Sequence, residues 1–187
     1  LDRRAPSRFE FAQIAVKRLQ LIALLENPET CVAYILEVMR KLGVRWPRRP
    51  SALRTWLGLR VLRFRLLGGR GGDVLRPATS VDPDWLAPML VIGQSGGILI
   101  RHDVRLAALA TCFTLARYIR RGYIAHAPFA LASYANCLQI VHRDCAGARR
   151  FAELALALNE RVPDPVYGPR CAMRIHGMVY PWLMPRR

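Results

Sequence analysis

The signal that begins an α-helix recurs along this sequence, and the recurrence constrains the fold more than any other feature. Three times an Asn or Asp directly precedes a proline, at Asn27–Pro28, Asp82–Pro83 and Asp164–Pro165. The first side chain can accept hydrogen bonds from the free N–H groups of the opening turn, and proline suits the first helical position because it lacks an N–H. Other capping residues precede apolar segments at Ser7, Ser51, Asp103 and Asp144.

These starts, together with the glycines that follow each segment, predict about eight helices between Ser7 and Tyr180. Most are joined by short turns, which favours antiparallel helical hairpins. The strand-like runs "MLVI" and "GILI" are too short to indicate a sheet. The intervening "GQSGG" predicts a break in the helix after Ile92. The predicted fold class is therefore all-α.

Apolar residues at helical spacing predict which helix faces are buried. In the first helix the expected stripe is Phe11, Ile14, Leu19, Ile22 and Leu25. The helix after Ser51 is apolar on two sides, which predicts neighbours on both flanks. One side carries Leu53, Trp56, Leu57, Phe64 and Leu67, and the other carries Leu59, Leu62 and Leu66.

The chain has 187 residues, of which 52% are hydrophobic, so it can bury one sizeable core and is not a disordered chain. We expect one helical region over residues 1–187: first helices and a basic connector over 1–67, a Gly-rich loop over 68–81, and later hairpins over 82–187. Five cysteines without a CxxC pair predict a reducing, cytoplasmic compartment. No signal peptide is recognisable, and the uncharged stretch Gly122–His142 is too polar to predict a membrane span.

The net charge is +16, and all but two of the 29 basic residues are arginines. Eleven basic residues and one acid lie between Arg40 and Arg76, so this segment carries +10. Genome composition explains part of the arginine content, since Ala, Leu, Gly and Pro are also abundant. Interleaved tryptophan and phenylalanine make a nucleic-acid-binding module the alternative function. The candidate docking or anion-binding patch within the Arg45–Arg70 cluster is Arg45, Arg48, Arg49, Arg54, Arg60, Arg63 and Arg65.

Two sets of residues have the types found in catalytic or metal-binding sites. "GQSGG" matches the G-x-S-x-G nucleophile elbow, which makes a serine hydrolase at Ser95 the second alternative, although no strand–helix alternation precedes it. The metal-ligand types His142, Cys145, Cys171 and His176 lack the tight pairs of zinc sites. We therefore predict no catalytic residue, no metal and no cofactor.

Small residues recur along one face of the helix that follows Asp144. Ala148, Ala152 and Ala155 would let a neighbouring helix approach closely, as in the second helix of a tetratricopeptide unit. This spacing makes a tetratricopeptide-like α-solenoid fragment the predicted architecture.

Two longer segments resemble the helical region of very large bacterial signalling proteins. "ETCVAYILEVMRKLGVRWPRRPS" is similar to their helix and "LGV-x-x-P-R-R-P" segment, and "FALASYANCLQIVHRDCAGARRFAELALALNER" is similar to a later segment. The resemblance extends from about Phe9 to about Tyr180. The family's tyrosine–glycine pair is replaced here by Ala135–Asn136, and its Gly-Asp-Tyr turn by "HRDCAG".

Proteins of that family join a kinase-like domain and an AAA-type ATPase to a tetratricopeptide-like region, often followed by a GAF domain and a histidine kinase. The resemblance implies that this chain is a piece of a longer protein. It also implies a non-catalytic regulatory or scaffolding segment that contacts neighbouring domains or protein partners. No Walker motif or kinase catalytic loop occurs in the sequence, so ATPase and kinase activities are assigned to no residue here.

Overall fold

The computed structural model describes residues 7–67, 77–78 and 82–183. Within these ranges the chain forms eight helices and no strand, which confirms the predicted all-α class. The helices are α1 (Arg8–Leu25), α2 (Pro28–Lys41), α3 (Ala52–Leu67), α4 (Pro83–His102), α5 (Val104–Arg121), α6 (Ala127–Cys137), α7 (Cys145–Arg161) and α8 (Tyr167–Arg174). A π-helical turn, Leu138–His142, extends α6, and another, Ile175–Val179, continues α8 into Tyr180–Leu183.

The predicted capping residues begin their helices. Ser7 and Glu10 form a reciprocal capping box at the start of α1, and Asn27 Oδ1 accepts a hydrogen bond from the Thr30 amide at 2.9 Å. Asp164 differs from the prediction, since its carboxylate accepts from the Tyr167 amide at 2.7 Å and the helix begins there. Local side-chain chemistry therefore sets these helix starts.

The predicted break at "GQSGG" is wrong, because α4 continues through it from Pro83 to His102. A glycine inside a helix costs about 1 kcal/mol relative to alanine. Burial of the apolar side chains on both sides of the glycines, including Ile92 and Leu99, offsets that cost.

The predicted faces of α1 and α3 need correction. In α1 the buried residues are Ala12, Ala15, Val16 and Leu19, whereas Ile14 and Leu25 of the predicted stripe are exposed. Small alanines allow close helix contact, and α1 packs against α4 through this face. In α3 one predicted side is buried and much of the other is exposed. The buried residues are Leu59, Leu62 and Leu66, and the exposed ones are Leu53, Trp56, Leu57 and Phe64.

The chain divides into two compact units. The first comprises Leu1–Pro50 and Ser80–Ala107, in which α1, α2 and α4 pack together. The second comprises Ser51–Thr79 and Ala108–Arg187, and its largest interface joins α6 to α7. The predicted first segment, 1–67, thus contributes α3 to the second unit. Most of the predicted loop over 68–81 lies outside the described residues.

Two tyrosine hydroxyls take part in hydrogen bonds in the interior of the second unit. The Tyr134 hydroxyl donates to the Leu59 carbonyl oxygen at 2.9 Å, which ties α6 to α3. Tyr118 Oη lies 2.8 Å from His126 Nδ1, and all of these groups are buried. Burial, more than the neighbouring Arg170, lowers the pKa of His126 to about 4. None of the helices in the described ranges has both the length and the apolar character that a membrane span requires.

Candidate functional site

The first unit contains an open cavity of about 770 Å³ lined by four arginines. Arg18 comes from α1, Arg40 from the last turn of α2, and Arg45 and Arg48 from the connector that follows α2. This volume lies in the range of small-molecule sites. The other lining residues are Ile22, Thr30, Ala33, Tyr34, Leu36, Glu37 and Trp46.

The connector is held so that its arginines face solvent. Gly43 adopts φ +82°, a left-handed conformation that ends α2 and that glycine adopts without steric cost. Val44 and Pro50 are buried at either end of the connector, and Arg45 and Arg48 between them are exposed. Two prolines restrict the backbone dihedral angles of this short segment. The backbone positions that carry the two arginine side chains are therefore limited.

The charges around this cavity are unbalanced. Its single lining carboxylate, Glu37, lies 2.8 Å from Lys41 Nζ, and the hydrogen bond from Lys41 holds the pKa of Glu37 below its usual value. Among the described residues, no carboxylate lies within ion-pair distance of Arg40, Arg45 or Arg48. Four arginines therefore line a cavity with one carboxylate, which pairs with Lys41 and also interacts electrostatically with Arg40 and Arg18.

The other arginines of the predicted patch are distributed differently. Arg49 and Arg54 are exposed and do not line this cavity, and Arg65 is exposed on α3. Arg70 lies outside the described residues. The structure thus places Arg45, Arg48 and Arg49 in the first unit and Arg54, Arg60, Arg63 and Arg65 in the second.

Two arginines of α3 make side-chain contacts in the second unit, and the contact of Arg63 joins two helices. Arg63 donates to the carboxylate of Asp144, the residue that caps α7 by accepting from the Gly147 amide. Arg60 lies 5.1 Å from the centre of the Trp56 ring, and that ring stacks on His142 at 5.4 Å. Desolvation is the main cause that lowers the pKa of His142, followed by the charge of Arg60.

The predicted small-residue face lies inside the second unit. Ala148, Ala152 and Ala155 are all fully buried, and α7, which carries them, packs against α6. A Cβ added at Gly147 would collide with the Asp144 carboxylate, so a larger residue there would displace the capping side chain. Small side chains at a helix interface allow two helices to approach closely.

Ser95 does not occupy a nucleophile elbow. It lies in the middle of α4, is fully buried, and its hydroxyl donates to the Ile92 carbonyl oxygen at 3.3 Å. An elbow needs a strand-to-helix turn that exposes the hydroxyl, and a continuous helix provides neither.

Two thiols of the second unit are held in the protonated form by burial. Burial raises the pKa of Cys112 to about 12 and that of Cys137 to about 11, so both are protonated at neutral pH. In the part of the chain that the structure describes, no three His, Cys, Asp or Glu side chains converge on a metal position.

Sequence reasoning missed an apolar row on the surface of α1. Ile14, Leu21, Leu24 and Leu25 are each at least 62% exposed, and their spacing places them on neighbouring strips of one helix face. The pattern could have been found as a second apolar stripe beside the alanine face. It also missed Arg18 and Arg40, which only the folded chain brings to Arg45 and Arg48.

No protein-family model, no curated protein and no solved structure matches this chain. The family resemblance of the two helical segments therefore stays a prediction. Function is argued from the residues themselves.

Proposed function

We propose that this chain is a non-catalytic helical module that binds other protein segments. The observation that carries this proposal is the apolar row on α1, in which Ile14, Leu21, Leu24 and Leu25 are exposed to solvent. Contiguous apolar surface on a folded protein is costly in water and marks sites of protein contact. A second such surface lies on α3, where Leu53, Leu57, Val61 and Phe64 are exposed.

The resemblance supports a more specific role. Stacked tetratricopeptide-like hairpins present extended surfaces to neighbouring domains or peptides. We propose that the module acts in the cytoplasm as a regulatory or scaffolding segment of a bacterial signalling ATPase or kinase. The buried alanines between α6 and α7 agree with such helix pairing.

Sedimentation analysis of the chain tests the proposal, because an unoccupied docking face promotes self-association. We expect the wild-type chain to associate at about 100 µM, a concentration at which weak apolar contacts become populated. The double variant Leu21→Gln/Leu25→Gln should be largely monomeric with unchanged helical circular dichroism.

The matched control alters two exposed polar positions of the same helix, Gln13→Ser/Gln20→Ser, and should associate like the wild type. A monomeric wild-type chain at that concentration would contradict an apolar docking face on α1. Equal loss of association in both double variants would count against it as well.

Nucleic-acid binding is the second candidate, and an arrangement on α3 favours it. Exposed Phe64 lines an open cavity of about 430 Å³ together with Arg60, Arg63 and Leu67. An exposed aromatic ring beside guanidinium groups suits base stacking with phosphate contact.

Fluorescence anisotropy with a single-stranded oligonucleotide at two salt concentrations tests for nucleic-acid binding. Tight binding with a steep salt dependence, weakened by Phe64→Ser, is the expected result, and weak binding by both proteins excludes the candidate.

A further inference from the structure

We infer that the arginine-lined cavity of the first unit binds a small ligand that carries at least two linked phosphoryl groups. The cavity brings Arg18, Arg40, Arg45 and Arg48 to one site, and these residues come from two helices and the connector after them. The inference goes beyond protein docking, since it concerns different residues and a different class of ligand.

The charge of the site selects an anion with more than one negative group. Four arginines and one glutamate line the cavity, so the lining residues carry a net charge of +3. Glu37 pairs with Lys41 at 2.8 Å and also interacts electrostatically with Arg40 and Arg18, but this one carboxylate does not balance four arginines. A ligand with a single charge would engage only part of this set.

The chemistry of guanidinium favours phosphoryl oxygens. Arginine presents a planar fork of N–H donors that matches two oxygens of one phosphoryl group, and it holds its charge at all physiological pH values. Two phosphoryl groups joined by a bridging oxygen offer enough acceptors for several such forks in a compact space. The cavity volume of about 770 Å³ admits a ligand of that size with its attached group.

The backbone supports this use of the site. The left-handed turn at Gly43 reverses the chain directly after Arg40, and buried Val44 and Pro50 anchor the segment that bears Arg45 and Arg48. An anchored connector loses less conformational freedom when it binds than a free loop would. Arg18 lies 5.4 Å from the centre of the Tyr34 ring, which restrains a further guanidinium at the cavity wall.

Neighbouring arginines provide a matched pair of variants. Arg48 lines the cavity, whereas Arg49 is exposed next to it in the sequence and does not. Arg48→Gln and Arg49→Gln remove the same charge from adjacent positions. A general electrostatic attraction would be weakened equally by both, and a defined site would be weakened mainly by Arg48→Gln.

Isothermal titration of the full chain with inorganic pyrophosphate, at about 0.15 M salt to screen non-specific attraction, tests the inference. We expect saturable binding with one site per chain, weakened about tenfold by Arg48→Gln and by less than about twofold by Arg49→Gln. A nucleoside diphosphate and vesicles that contain a polyprenyl diphosphate serve as further arms. Tighter binding of the nucleotide would identify a soluble ligand, and tighter binding to vesicles that pyrophosphate displaces would identify a lipid headgroup.

Absence of saturable pyrophosphate binding would overturn the inference, and so would equal weakening by the two variants. Circular dichroism melting of each variant checks that the fold is retained. The sedimentation experiment tests the apolar face of α1, and the titration tests the arginine-lined cavity. Either proposal can therefore fail without affecting the other.

Discussion

The arginines of the two units differ in what surrounds them. In the second unit Arg63 contacts the Asp144 carboxylate and so links α3 to the start of α7, whereas Arg60 lies over Trp56 of its own helix. In the first unit Arg45 and Arg48 line an open cavity without a carboxylate partner among the described residues. Arg63 thus has a structural contact in the second unit, whereas Arg45 and Arg48 in the first have no such contact within the described part of the chain.

Buried polar groups show the same contrast. Of the seven polar or charged side chains that are buried in the described residues, six belong to the second unit and only Ser95 to the first. Buried polar groups stabilise a fold when they are paired and destabilise it strongly when a partner is removed. We therefore expect replacement of buried polar side chains to lower the stability of the second unit at more positions than that of the first.

The largest expected effect concerns His126. Its pKa is about 4 in the folded chain because burial disfavours the charged imidazole, whereas the unfolded value is near 6.5. Between pH 6.5 and pH 4 the unfolded chain binds more protons than the folded chain. The free energy of unfolding should therefore fall by up to about 3 kcal/mol as the pH is lowered through this window.

Urea unfolding at several pH values measures this slope. His126→Gln keeps a hydrogen-bonding group beside Tyr118 but removes the titration, so the corresponding part of the slope should disappear. A variant with an undiminished slope would show that other groups cause the acid sensitivity.

The next effect is at Asp144, which both caps α7 and contacts Arg63. Asp144→Ala should lower the free energy of unfolding by about 2 kcal/mol, since a lost cap costs about 1 kcal/mol and a partly buried ion pair about as much again. Asn27→Ala is the control, because Asn27 caps α2 without an ion pair. An equal loss in the two variants would mean that Arg63 contributes nothing to stability.

How far the sequence predicts such contacts depends on their range. The caps at Asn27 and Asp144 follow from side chains within three residues, so local patterns predict them. The pairing of Arg63 with Asp144 spans 81 residues, and nothing in either local sequence indicates it. The predicted patch therefore grouped arginines by sequence proximity, which neither separated structural from unpaired members nor included Arg18.

Local sequence also does not determine which face of a helix is buried. Both faces of α1 carry apolar residues, and the alanine face is buried because α4 packs closely against it. The larger side chains Ile14 and Leu25 suggest the opposite choice when hydrophobicity alone is considered. Continuity of α4 through "GQSGG" likewise depends on tertiary burial, which overrides the weak helix propensity of glycine.

One tyrosine substitution in each unit compares the two units again, with a smaller expected effect on stability. Tyr134→Phe removes the hydroxyl that donates to the Leu59 carbonyl oxygen, so that a buried acceptor loses its partner. The expected cost is about 1.5 kcal/mol in urea unfolding. Tyr34→Phe in the first unit should change stability by less than about 0.5 kcal/mol, because its ring is half-buried at the cavity. Equal effects at both positions would remove the distinction between the units.

The smallest expected effect is the most direct test of the contrast between arginines. Arg48→Gln removes an exposed charge that has no carboxylate partner and lies near other guanidinium groups, so the free energy of unfolding should stay within about 0.5 kcal/mol of the wild-type value. Relief of like-charge repulsion would make any change stabilising, and salt would diminish it. Arg63→Gln should instead destabilise the chain by about 1 kcal/mol, because the Asp144 carboxylate loses its partner. If Arg48→Gln were the more destabilising of the two, Arg48 would have a structural role and would not be held ready for a ligand.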